Sequence, residues 1–128
     1  MAGLHHLALR ARDCGASARF YEEAFGLREI RRFGGEDGPR AVWLQAGDTV
    51  LMIERSLRGG GSAEGSGHVL VFPTKDLVAA ESRLRERGIA IADRTPNTLY
   101  VLDPDGHRAG VSNYVFDETP RDSVTPKS

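Results

Sequence analysis

The sequence predicts an α+β fold of two βαβββ modules whose curved mixed sheets form a cup-shaped pocket. Three observations carry this expectation. A strand, a helix and three strands follow one another twice along the chain. Landmarks recur at one spacing: His6 and His68, and Gly26 and Gly88, each stand 62 residues apart. At 128 residues the chain has room for one compact core. A single module leaves one sheet face bare and must bury surface against its copy.

The first strand is expected over residues 4–11. Its period of two puts Leu7, Leu9 and Ala11 on the helix side and His6, Ala8 and Arg10 on the other. His5 shares the side of Leu7 and reads as structural. Asp13 has the short carboxylate of a helix N-cap. The helix that follows places Ala16, Phe20 and Ala24 four apart, with Tyr21 and Phe25 beside them, and Gly26 stops it. Three strands complete the module: 27–33, rich in arginine, 41–45 and 49–54, the last two joined by the tight Ala46-Gly47-Asp48 turn.

The glycine- and serine-rich stretch 58–67 cannot hold regular structure cheaply and reads as a mobile linker. The pattern then restarts. An apolar strand covers 68–73, Asp76 is a second N-cap, and a helix spans 77–87 with Leu77, Ala80 and Leu84 inward and Gly88 at its end. Strands follow at 89–92, 98–102 and 107–114. Asp103-Pro104-Asp105-Gly106 is a turn, in which proline presets φ and glycine accepts a positive one. The reading is a single domain over 1–116: module one 4–55, linker 56–67, module two 68–115. The polar, proline-containing segment 117–128 is expected to be a flexible tail.

Composition excludes several classes of function. A net charge of −1 supplies no basic face for nucleic acid. No apolar run approaches the roughly 20 residues that span a bilayer. The N-terminus lacks the charged-then-apolar layout of a secretory signal. Cys14 is the lone cysteine, so no internal disulfide forms, and the expected location is cytoplasmic. Cys14 sits at a helix start, where the dipole lowers a thiol pKa. With no basic partner evident in the sequence, an inert cysteine is expected.

The segments HHLALRARD, FYEEAFGL, GHVLVF and LYVLDPDGHR resemble, in order and over about residues 4–115, the vicinal oxygen chelate superfamily. That group contains glyoxalase I, bleomycin-resistance and fosfomycin-resistance proteins and extradiol dioxygenases. The resemblance implies paired βαβββ modules, a homodimer and a small-molecule ligand. In the metalloenzymes of that group a histidine on the first strand of each module, and an acid four residues beyond the glycine of the DPDG turn, hold a divalent metal. The resemblance carries the histidine positions onto His6 and His68. The acid position falls on Gly110, which has no side chain to ligate.

Two histidines on facing strands plus a carboxylate would suit iron, manganese, zinc or nickel with open coordination positions. Glu54 is the candidate third ligand. Aligning the modules on Gly47 and Gly106 turns Leu51 and Ile53 into the cup and Glu54 away from it, and a slip of one residue would reverse this. Strand parity and the matching of strands between modules nominate Arg10, Trp43, Leu51, Phe72, Tyr100, Arg108 and Ser112 as ligand-lining residues. Loss of a side chain at Gly110 would widen the cup. His107, after a turn, is expected at the surface.

Two functions therefore compete. One is a metal-dependent dioxygenase, lyase or isomerase with His6 and His68 as ligands and a third from Glu54, water or the partner chain. The other is a metal-free protein that sequesters a planar or hydrophobic compound, as bleomycin-resistance proteins do. A purely structural or regulatory partner protein has no positive feature in its favour.

Overall fold

The computed structural model describes residues 3–56 and 67–116. Module one runs β1 (His6–Arg10), α1 (Cys14–Phe25), β2 (Arg28–Gly35), β3 (Gly38–Ala46) and β4 (Thr49–Glu54). Module two runs β5 (Leu70–Pro73), α2 (Leu77–Glu86), β6 (Asp93–Arg94), β7 (Thr98–Leu102) and β8 (Arg108–Ser112). Each module makes one four-stranded mixed sheet, ordered β1-β4-β3-β2 and β5-β8-β7-β6. In both, the first strand pairs in parallel with the last and the remaining pairs are antiparallel. The α+β class and the paired modules are as the repeat predicts. The expected linker and tail lie largely or wholly outside the described residues.

Local chemistry explains the helices. Asp13 accepts from the N–H of Ala16 at 3.0 Å, and Asp76 accepts from the N–H of Ala79 at the same distance. Each carboxylate satisfies a backbone donor that a helix start leaves bare. Gly26 ends α1 at φ 74°, where its N–H returns to the carbonyl of Glu22.

The two caps set the true register of the repeat. Asp13 and Asp76 are 63 residues apart, as are the core pairs Leu7 and Leu70, and Leu9 and Phe72. On that register His68 corresponds to His5, and His6 to Val69. The hairpins shift the register again. β3 and β4 are closed by two residues, Gly47 and Asp48. β7 and β8 are closed by three, with the N–H of Asp103 bonded to the carbonyl of His107. Superposing the glycines of these turns therefore misplaces β8 by one residue. Met52, not Leu51, corresponds to Gly110, because Met52 faces Trp43 as Gly110 faces Tyr100.

One core serves both modules. It takes Leu9, Val42, Leu44, Leu51 and Ile53 from the first sheet, and Leu99, Val101, Ala109 and Val111 from the second. Tyr21, Ala18 and Ala24 of α1 and Leu84 of α2 fill the space between them. The helix-bearing sides of the sheets thus share an interior, and no ladder joins one sheet to the other. The expected cup between two facing open sheets is not part of this packing. The open faces lie on the far sides of their sheets from the shared core.

Two further expectations change. Residues 89–92 form no strand: Ile89 and Ile91 pack against the core, and pairing begins only where the N–H of Ala92 meets the carbonyl of Tyr100. The strand expected from His68 begins at Leu70.

Candidate functional site

Alternation along paired strands defines the open face of module one. Register partners share a face, so His6 lies with Val50 and Gln45, Ala8 with Met52 and Trp43, and Arg10 with Glu54 and Ala41. The face continues through Arg31, opposite Trp43, and Phe33, opposite Ala41. Here two aromatic rings meet. Phe33 and Trp43 meet edge to face at 5.0 Å, and the indole N–H of Trp43 donates to Glu54 Oε2 at 2.9 Å. The guanidinium of Arg31 lies 4.9 Å from the Phe33 centroid, and that of Arg40 lies 6.0 Å from it.

The expected orientation of β4 is corrected by this register. Glu54 shares the face of His6, Arg10 and Trp43, whereas Leu51 and Ile53 point to α1 and are buried. The cause is the turn-length difference described above. Leu51 does line a cleft of about 460 Å³, and so does Phe72, but that cleft runs along the seam between modules with Leu7, Phe25, Leu27 and Leu70. Phe72 stacks on Phe25 at 4.5 Å. Both residues belong to the helix side and not to an open sheet face.

The open face of module two carries Val71, Tyr100, Arg108, Gly110 and Ser112. Arg108 lies 4.8 Å over the Tyr100 ring and pairs with Asp93 at 3.1 Å. A Cβ built on Gly110 would stand 2.8 Å from the carbonyl oxygen of Leu99 and 3.1 Å from Tyr100 Cδ1. The missing side chain therefore opens no space: Tyr100 and the neighbouring backbone occupy it. Ser112 accepts from Thr98 Oγ1 at 2.9 Å and donates to the carbonyl of Asn97 at 3.0 Å, so it ties β7 to β8.

The histidines do not assemble into the expected metal centre. His6 is exposed and its Nδ1 meets that of His5 at 2.9 Å, with His5 exposed as well instead of packed under the helix. His68 stands beside His107, ring centroids 6.1 Å apart. His68 precedes β5 and is exposed, whereas His6 lies within β1 on an open face. Glu54 shares the face of His6 but sits four residues beyond Val50, its register partner, or about 13 Å along the strand. Its carboxylate already holds Trp43. The positions around His6 are Ala8, Val50, Met52 and Gln45, and the Gln45 amide donates to the carbonyl of Gly47. None of these offers the further imidazole or carboxylate that suits iron, manganese, zinc or nickel. Among the described residues no three His, Cys, Asp or Glu side chains could hold an ion. The residues present do not fit the divalent metal that the resemblance implies.

His107 is buried instead of exposed, at 6% accessibility. Its Nε2 meets the carbonyl of Arg10 at 2.8 Å, a bond that needs the proton on Nε2. Nδ1 is buried and has no hydrogen-bond partner among the described residues. The neighbouring acids of the same turn also reach module one, Asp103 to Tyr21 and Asp105 to Arg12 and Ser17. Sequence reasoning saw in DPDG only a turn. It also missed Phe33, Arg31 and Arg40. Extending parity from Trp43 across the hairpin would have found Phe33, but register shifts at Ile30 and at Phe33/Gly34 hide the alternation. Gly34 makes the second shift possible: at φ 142°, a Cβ there would stand 2.6 Å from the carbonyl oxygen of Gly38.

Cys14 is buried and its Sγ contacts the carbonyl of Arg40 at 3.5 Å. Burial pushes its thiol pKa up, against the fall that a helix start alone would give, and the Arg55 charge offsets only part of this. No helix among the described residues is long and apolar enough to cross a membrane.

Comparisons with known proteins agree with this architecture. The family model described as Glyoxalase/Bleomycin resistance protein/Dioxygenase superfamily matches residues 3–111. An uncharacterised protein of Bacillus subtilis (strain 168), YwbC, is 25% identical over 122 residues, covering 80% of this chain and 90% of that protein. The structure of lactoylglutathione lyase from Agrobacterium tumefaciens superposes with a TM-score of 0.70 at 23% identity, over 88% of this chain and 94% of that one. TnmS3, an antibiotic binding protein from Streptomyces sp. CB03234, superposes with a TM-score of 0.67 at 25% identity, over 88% and 96%. A match across nearly all of both modules places the chain in the Glyoxalase/Bleomycin resistance protein/Dioxygenase superfamily.

Proposed function

We infer that this protein binds a planar aromatic compound without a metal, on the open face of module one. The observation that carries the reading is the edge-to-face pair of Phe33 and Trp43, with the indole fixed by Glu54. A ring held at its N–H presents its faces to a ligand with little rotational freedom left to lose. The metalloenzyme reading takes its ligands from His6, His68 and a third group, and among the described residues no three His, Cys, Asp or Glu side chains could hold an ion. The likeness to an antibiotic binding protein is consistent with sequestration.

The reading includes a homodimer in the cytoplasm. In support, the apolar side chains Leu4, Val71 and Leu102 are 69%, 45% and 53% exposed on the single chain. Light scattering at micromolar concentration should return twice the chain mass, and a monomer would contradict it.

The test of function is direct. Untagged protein is analysed for bound metal and titrated with polycyclic aromatic compounds by calorimetry. We expect micromolar binding to the metal-free protein, lost in Trp43→Ala and kept in His6→Ala. Stoichiometric iron, manganese, zinc or nickel that His6→Ala abolishes would overturn the reading in favour of the enzyme.

A further inference from the structure

We propose that the compound held on the open face of module one is a planar aromatic anion, its ring against Phe33 and Trp43 and its charged group on Arg31 and Arg40. The proposal rests on the binding reading above and names its ligand class.

The two modules carry the same pairing of arginine with aromatic ring, and they finish it differently. In module two, Arg108 lies over Tyr100 and Asp93 neutralises it at 3.1 Å. In module one, Arg31 and Arg40 both approach Phe33, and neither guanidinium has a carboxylate partner among the described residues. A guanidinium beside a ring keeps N–H donors free at its edge, arranged in the fork that suits a carboxylate, sulfonate or phosphate.

The carboxylate of that face is committed elsewhere. Glu54 accepts the Trp43 indole N–H and has Arg10 as its register partner. Arg28 lies on the same face, opposite Gln45. Among the described residues of this face, a ligand on these rings therefore meets Arg28, Arg31 and Arg40 and one acid, Glu54, that is already engaged. A cationic ligand would be repelled, and a neutral one would leave both guanidiniums without an anionic partner. An aromatic anion meets both demands of the site.

Trp43 is the sole tryptophan of the chain, so its fluorescence reports on this face alone. The intact protein is titrated with three probes of one shape: 2-naphthoate, neutral 2-naphthamide and cationic 2-naphthylmethylammonium. Calorimetry gives affinities independently of the fluorescence. We expect naphthoate to bind roughly tenfold more tightly than the amide and the ammonium most weakly, with the gap narrowing as salt rises. The double variant Arg31→Gln, Arg40→Gln should erase that preference, bringing the affinity for naphthoate down to that for the amide. Both arginines are exposed, so the fold should survive, and a thermal melt checks this. The double lysine variant should restore part of the preference. Equal binding of the three probes, or a preference that survives the glutamine variant, would overturn the anion proposal while leaving the binding reading standing. Failure of all three, and of larger neutral polycycles, would overturn both.

Discussion

The hydroxyl of Tyr21 donates to Asp103 Oδ2 at 2.8 Å, and that bond fastens the helix of module one to a turn of module two. Asp103 Oδ1 meanwhile accepts the N–H groups of Asp105 and His107. Tyr21 is fully buried and Asp103 nearly so. Asp105 adds the backbone N–H and side chain of Arg12 and the hydroxyl of Ser17, and His107 adds the carbonyl of Arg10. One five-residue turn thus clasps both ends of the β1–α1 junction. Asp103→Ala would strand a buried hydroxyl and two backbone donors, each costing about 1–3 kcal/mol. The expected loss is about 3 kcal/mol or more, read from urea denaturation. Tyr21→Phe, which deletes one partner, should cost roughly 1 kcal/mol. If Asp103→Ala were as stable as the parent, the turn would not be a clasp.

The same bond makes an alkaline prediction. Burial, followed by the neighbouring Asp103 charge, raises the Tyr21 pKa far above its ordinary 10.0. A folded-state pKa above the unfolded one stabilises the fold fully below the unfolded value, and that stability is lost as pH climbs from there toward the folded value. Stability should therefore fall above about pH 10, by up to about 1.4 kcal/mol per pH unit. Tyr21→Phe should flatten that limb relative to the parent. Denaturation midpoints at pH 9, 10 and 11 would show it, and parallel slopes for the two proteins would contradict the assignment.

The fold was legible because its signals are local. Asp13 and Asp76 cap helices through their own side chains, and Gly26 closes α1 through its own φ, so single residues disclose these features. The site was less legible because faces depend on register, and register depends on turn lengths. A third residue in the β7–β8 turn was enough to exchange the sides assigned to Leu51 and Glu54. The histidine spacing misled in the same way: His68 lies one residue further from its cap than His6 from its own. Contacts between modules, such as His107 with Arg10, leave no periodic trace at all. Nothing in DPDGH distinguishes a solvated turn from one whose acids are spent on Tyr21, Arg12 and Ser17.

Cys14 offers a clean probe of local opening. It is the lone cysteine, it is buried, and burial raises its pKa. A thiol alkylates through its thiolate, so a raised pKa and shielding act in the same direction. In the native protein, modification by iodoacetamide at neutral pH should be slower than in urea by at least about two orders of magnitude, since it requires opening of the fold. Comparable rates would show that the β1–α1 junction is open in solution. Asp103→Ala should speed the native reaction, because the clasp over that junction is released.

Gly110 decides between two histories of the site. If it replaced an acid in a cavity that is otherwise intact, Gly110→Asp should be tolerated and should recover metal binding. The geometry opposes this. A Cβ would meet the Leu99 carbonyl oxygen at 2.8 Å, backbone that cannot swing aside, and Tyr100 and Thr98 at 3.1 and 3.5 Å. Gly110→Ala should therefore destabilise by about 1–3 kcal/mol, the usual range for overpacking. The aspartate should cost more, because its carboxylate would be forced against the Tyr100 ring. Neither variant should take up metal, since the register partners Val71 and Tyr100 supply no imidazole or carboxylate beside that position. Urea denaturation and metal analysis of the two variants check both halves of the argument. An aspartate variant that is as stable as the parent and binds one equivalent of iron, zinc or manganese would mean that the open faces carry a latent metal site after all.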